Sequence, residues 1–106
     1  MTLRTLLTAT VALTLVHGSA MAANHIVEQS GKKFAPETLK IKAGDTITFV
    51  NNDSITHNVY SRTNDHRFNI GAQKSGEKKA LKFDKKGLID IRCAMHPTMK
   101  LKVEVE

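Results

Sequence analysis

Beyond the first 22 residues, several short stretches alternate apolar and polar residues with period two, the mark of half-buried strands. Asn24 to Ser30 is a first expected strand, with Ile26 and Val27 its apolar residues. Gly31-Lys32-Lys33 turns it, and Phe34-Ala35-Pro36 cannot lie inside a helix, because proline has no N–H to give. Leu39 and Ile41 alternate with Lys40 and Lys42, Ala43-Gly44-Asp45 turns, and Thr46 to Val50 returns with Ile47 and Phe49 on one face. After the turn cluster Asn51-Asn52-Asp53-Ser54, a strand is expected from Thr56 to Ser61. Arg62 to Lys79 reads differently, as a long, polar, glycine-punctuated irregular connection in which Phe68 and Ile70 interrupt. Leu81 and Phe83 alternate, Asp84 to Gly87 turns, and Leu88 to Arg92 runs straight into Cys93. Leu101, Val103 and Val105 alternate with Lys102, Glu104 and Glu106 in a closing strand. Short strands divided by turn signals, with no sustained helical stripe, predict an all-β sandwich of the Greek-key type.

The first 22 residues do not share this pattern. Arg4 supplies a thin positive start, Leu6 to Val16 an apolar stretch and Ala20-Met21-Ala22 an A-x-A cleavage site, which together predict a secretory signal peptide. The apolar stretch is too short to span a bilayer and threonines break it, so no membrane span is expected. Of 106 residues, residues 23–106 would then form one exported domain with a modest core, which a bound metal would help to stabilise. Periplasmic location follows as the expectation.

Charge adds a partner. The chain carries 16 Lys and Arg against 10 Asp and Glu, and removal of the signal takes away only Arg4. The basic balance fits steering toward an acidic protein, with Arg92, Lys100 and Lys102 as candidate contacts. Nucleic acid is excluded as a partner by the expected export and by the lack of a basic-aromatic module. A monomer is expected.

The chemistry concentrates in Cys93-Ala94-Met95-His96-Pro97-Thr98-Met99. The single cysteine of the chain excludes an internal disulfide, and an exported thiol is a liability unless buried, paired between chains or ligated. His96 and Met99 follow it at three-residue steps, giving thiolate, imidazole and thioether on one loop, a mixture that suits copper cycling between Cu(I) and Cu(II). Pro97 stiffens the loop at His96, since a residue before proline is held out of the α region. A trigonal His₂Cys plane needs one more histidine, and His57, at the start of a strand and followed by Asn58, is the candidate. Of the two methionines outside the signal, Met99 is the candidate axial thioether because it lies where the loop turns back, while Met95 fits an apolar rim. His66, between Asp65 and Arg67, is expected in solvent. If cleavage follows Ala22, Ala23-Asn24-His25 offers an amine, two amides and an imidazole, a square-planar nitrogen set for Cu(II) or Ni(II).

His57-Asn58 followed by Cys93-x-x-His96-x-x-Met99 and a last strand resembles the cupredoxins, the type 1 copper proteins, and in particular their small bacterial plastocyanin- and amicyanin-like members. The run from Phe34-Ala35-Pro36 through Ala43-Gly44-Asp45-Thr46 is similar to the same group. The resemblance implies one copper ion per chain, held by His57, Cys93, His96 and Met99, with the Asn58 N–H donating to the Cys93 sulfur. It also implies one-electron transfer between redox partner proteins, with no enzymatic activity, and His96 as the exit route at a rim including Met95 and Pro97. Many cupredoxins place Ser or Thr directly after the cysteine; here Ala94 stands there, so tethering through Asn58 is expected to use backbone groups.

Three other readings compete. Copper storage, delivery or resistance would favour more methionines in labile sites than this chain carries. A cysteine enzyme using Cys93 with His96 as base lacks a recognisable orienting group. Zinc at His57, Cys93 and His96 would leave Met99 without a purpose as a ligand.

Overall fold

The computed structural model describes residues 8–12 and 21–106. The expected signal peptide lies largely outside the described residues. Among these, nine strands form: β1 (Asn24–Ser30), β2 (Lys33–Ala35), β3 (Thr38–Ile41), β4 (Asp45–Asn51), β5 (His57–Ser61), β6 (Phe68–Gln73), β7 (Lys78–Phe83), β8 (Gly87–Arg92) and β9 (Lys100–Val105). One sheet has the order β2-β1-β4-β7 and the other β3-β9-β8-β5-β6. The pairs β1–β4 and β3–β9 are parallel, and the remaining pairs are antiparallel. No helix among the described residues is long and apolar enough to cross a membrane.

The two sheets close on a core in which Val27, Phe34, Ile47, Phe49 and Phe83 of one meet Ile41, Val59, Ile89, Ile91, Leu101, Val103 and Val105 of the other. Strand β9 shows the cause most simply. Leu101, Val103 and Val105 are buried while Lys102 and Glu104 face out, and burying each aliphatic side chain contributes about 1.5–3 kcal/mol. Cys93 and Met99 belong to the same buried cluster. The loop from Cys93 to Met99 is therefore anchored in the core at its two ends.

The stretch expected to be an irregular connection is ordered otherwise. Residues Phe68–Gln73 form β6, an edge strand paired with β5 through Ser61↔Phe68, Tyr60↔Asn69, Asn58↔Ala72 and His57↔Gln73. Its signal in the sequence is only two apolar residues long, and both are half-buried; Phe68 meets Phe83 edge to face, with ring centroids 5.9 Å apart. A register shift between Asn58 and Tyr60 coincides with Gly71 at φ 80°, a backbone conformation that glycine adopts without strain. His66 is not free in solvent either. It is half-buried, its Nε2 shares a hydrogen bond with the Lys85 carbonyl at 2.9 Å, and a Cβ on Gly87 would stand 3.1 Å from its ring.

Candidate metal centre

Strand β8 ends at Arg92, and the chain continues into Cys93 at one end of the sandwich. The last pair between β5 and β8 in that direction is Tyr60↔Arg92. Beyond it Asn58 has no register partner on β8, and its N–H donates to the Cys93 sulfur at 3.3 Å. The Met99 N–H donates to the His96 carbonyl at 2.9 Å, closing the turn that returns the loop to β9. Cys93, Met99 and His57 are buried, whereas His96 is half-buried between the exposed residues Met95 and Pro97.

Three donor atoms converge there. His57 Nδ1 and His96 Nδ1 lie 3.2 Å apart, and the Cys93 sulfur stands 4.0 Å from the first and 3.8 Å from the second. A triangle with these sides has a centre about 2.1 Å from every corner, the length of a bond from a first-row metal ion to nitrogen or sulfur. Among the described residues, this trio is the one group of three or more potential His, Cys, Asp or Glu ligands close enough to share an ion.

The tautomer of His57 favours the same use. Its Nε2 lies 2.6 Å from Asp53 Oδ2, and a carboxylate can only accept, so in the neutral ring Nε2 carries the hydrogen. The lone pair of Nδ1 then points at His96 and Cys93. A carboxylate behind a ligating histidine fixes ring orientation and raises its basicity. Asp53 is itself held: Oδ1 accepts from the Gly31 N–H at 2.6 Å and Oδ2 from the Lys32 N–H at 3.0 Å. Gly31 and Lys32, both at positive φ, form the two-residue turn between β1 and β2. Burial pushes Asp53 upward, but the hydrogen bonds from His57, Lys32 and Gly31 outweigh it and hold the carboxyl below its ordinary value. Sequence reasoning placed Asp53 in a turn cluster and missed this role. The signal was a carboxylate four residues before a candidate ligand, separated from it by a turn.

A polar layer behind the site keeps the 51–57 turn in place. Asn51 donates to the carbonyls of Ile55 and Gln73 and accepts from the Asp53 N–H. Gln73 reaches the Phe49 and Glu77 carbonyls and accepts from Gln29 at 2.7 Å. On the other flank, Asn58 Oδ1 accepts from the Ala94 N–H at 3.4 Å, while its amide donates to Asn69 Oδ1 and the Gly71 carbonyl. The tether to the loop thus runs through the Ala94 backbone. His25 lies elsewhere, in β1, with Nε2 2.9 Å from Asp45 Oδ2, and the Ala23 nitrogen donates to Asp45 Oδ1. A square-planar site at Ala23-Asn24-His25 would have to take both groups from Asp45.

The sequence profile of the copper binding proteins, plastocyanin/azurin family, matches residues 21–106. The chain belongs to this family. Amicyanin-alpha of Methylorubrum extorquens is 32% identical over 95 residues, covering 82% of this chain and 76% of the relative. A solved amicyanin variant in its Cu(I) state superposes with a TM-score of 0.73 at 28% identity, covering 78% of this chain and 82% of that one. The copper-containing nitrite reductase of Thermus scotoductus matches with a TM-score of 0.73 at 26% identity, but the chain spans only 22% of its length. Copper is accordingly the cofactor of this cupredoxin, and the donor geometry fits it. A thiolate and two imidazoles on a fixed scaffold are the ligand types that a blue-copper site uses.

Proposed function

We propose that this cupredoxin carries single electrons between redox proteins of the periplasm, after removal of residues 1–22 on export. His57 Nδ1, Cys93 Sγ, His96 Nδ1 and the thioether of the buried Met99 would hold the copper. When bound, copper supplies one-electron chemistry by alternating between Cu(II) and Cu(I). The protein's part is to keep the donors where they are in both states. Asp53 orients His57, the Asn58 N–H donates to the Cys93 sulfur, and the turn from His96 to Met99 closes the loop.

The observation that carries this reading is the convergence of the three donors at the end of the sandwich, with His96 alone of them part-exposed. A partner docked on the Met95 and Pro97 rim would meet the His96 ring edge, and the basic surface suits an acidic partner. A copper store or courier needs the opposite, a site that releases its ion. Repeated reduction by ascorbate and reoxidation by hexacyanoferrate(III), followed by challenge of the Cu(I) form with a competing chelator, separates the two. Reversible cycling with slow copper loss is expected. Release on the mixing timescale would assign the protein to copper delivery, and an intact mass that does not begin at Ala23 would move the cleavage site.

A further inference from the structure

A second set of metal donors stands at the opposite end of the sandwich. Strand β1 begins there and runs for seven residues toward Gly31 and Lys32, whose N–H groups hold Asp53 behind His57. At about 3.3 Å per residue, its start stands roughly 20 Å from that turn, so the two sets of donors cannot share an ion.

Asp45 gathers this end. Its Oδ1 accepts from the Ala23 nitrogen at 2.9 Å, while its Oδ2 lies 2.9 Å from His25 Nε2 and accepts from the Lys42 N–H at 3.0 Å. A carboxylate only accepts, so in the neutral ring Nε2 carries the hydrogen and the lone pair sits on Nδ1. No hydrogen bond occupies that Nδ1 among the described residues. Of the other histidines there, His57 and His96 belong to the copper trio. His66 turns Nδ1 and Nε2 toward the Asn64 and Lys85 carbonyls at 3.3 and 2.9 Å. His25 therefore offers a ring nitrogen open to an ion outside the copper centre, on a side chain that is 26% exposed.

That nitrogen is the one the backbone can use. Cleavage after Ala22 turns the Ala23 nitrogen into a terminal amine. The amine, the Asn24 and His25 amide nitrogens and His25 Nδ1 then close two five-membered rings and one six-membered ring about a single ion. Nε2 lies too far round the ring to close the last of them. Four nitrogens in a plane suit Cu(II), and Ni(II) less strongly, whereas Cu(I) favours softer donors.

We propose that the N-terminus of the exported protein is a second, Cu(II)-binding site formed by Ala23, Asn24 and His25, which Asp45 keeps closed until the ion arrives. The site rests on the export reading above, because only cleavage after Ala22 frees the amine. Binding moves no electrons. The ammonium proton and the two amide protons pass to water, and four Cu–N bonds form. The amine and the ring leave Asp45, and the Ala23 carbonyl gives up the Thr46 N–H that it accepts at 2.9 Å. That cost makes this site fill second, after the trio whose donors already converge.

The exported protein, its intact mass measured first, is given one equivalent of Cu(II) and then another, followed by visible absorption and electron paramagnetic resonance. The first should produce the thiolate colour. The second should leave that colour unchanged and add the signal of square-planar copper with four nitrogen ligands. His25→Ala should lose the second signal, as should a chain with one glycine inserted after Ala22, which moves the imidazole to the fourth position. Asp45→Asn, which removes the charged acceptor from both groups, should bind the second ion about tenfold more tightly in competition with free glycine. Ni(II) should compete for the site, and Zn(II), which favours tetrahedral geometry, should not. A four-nitrogen signal that survives in the histidine variant or the extended chain overturns the site, as does its absence from the unmodified protein. Equal affinity in Asp45→Asn overturns the closing role of the carboxylate. A mature mass that does not begin at Ala23 overturns the export reading and this site together. Loss of the thiolate colour with the second signal intact overturns only the electron-carrier reading, so the failures are distinct.

Discussion

Removing the Asp53 carboxylate tests how the protein prepares its first histidine. In Asp53→Ala the buried Nε2 of His57 loses its acceptor at 2.6 Å, and two turn N–H groups lose theirs. The Gly31 and Lys32 bonds are exposed, so water replaces the carboxylate there at little cost. His57 is fully buried, and leaving its N–H unpaired costs about 1–3 kcal/mol. That amount should appear as lost stability of the copper-free protein in a denaturant melt. Loss of an outer partner of a ligating histidine typically lowers metal affinity by about 10- to 100-fold. The carboxylate favours the more highly charged ion, so Cu(II) should lose more than Cu(I) and the reduction potential should rise. For a one-electron couple each tenfold difference is about 59 mV, which puts the expected rise at several tens of millivolts by protein-film voltammetry. Asp53→Asn keeps an acceptor oxygen without the charge. It should recover most of the stability while retaining part of the rise in potential. If Asp53→Ala matched the unmodified protein in both copper affinity and potential, the carboxylate would have no hold on His57 and the tautomer argument would fail.

Two further outcomes follow from other contacts. Asp45 is lowered from 3.8 to about 2 by the hydrogen bond with His25, then by those from the Lys42 and Ala23 N–H groups. Because the folded value lies below the unfolded one, its stabilisation is complete above about pH 4 and is lost as pH falls toward 2. Melting temperature should therefore fall less steeply across that window in Asp45→Asn, and parallel profiles would contradict the assignment. Asn58→Ala deletes the side-chain bonds to Asn69, Gly71 and Ala94 but not the backbone N–H to the sulfur. It should cost about 1–3 kcal/mol in denaturant melts while the copper–thiolate absorption persists. Loss of the colour would show that the loop depends on the Asn58 side chain.

The parts of this molecule that can be read from sequence are those whose signal is local. Strand β1 spans Asn24–Ser30 as expected from Ile26 and Val27, although only Val27 of the two is buried, and β9 follows Leu101, Val103 and Val105. The spacing from Cys93 to Met99 identifies the loop, because three soft or borderline donors at three-residue steps are visible without any fold. What escaped is set by partners distant in sequence or by weak patterns. Strand β6 has two large apolar residues and a glycine at a register shift, and only pairing with β5 makes it a strand. Asp53 looks like turn chemistry until the 51–57 turn folds it back onto His57. Likewise, Gln29, Asn51 and Gln73 are unremarkable polar residues until the two sheets bring them into one buried layer. Arg92, a basic residue in the sequence, is paired with Asp90 two residues away on its own strand.

On this reading His57, Cys93 and His96 bind one copper through a thiolate bond. A Cu(II) titration followed by visible absorption and electron paramagnetic resonance, repeated on Cys93→Ser, tests it most directly. Intense colour that saturates at one equivalent and is absent from the variant is expected. A colourless complex that forms equally well in both proteins would place copper away from Cys93, and the electron-carrier reading would fall with it.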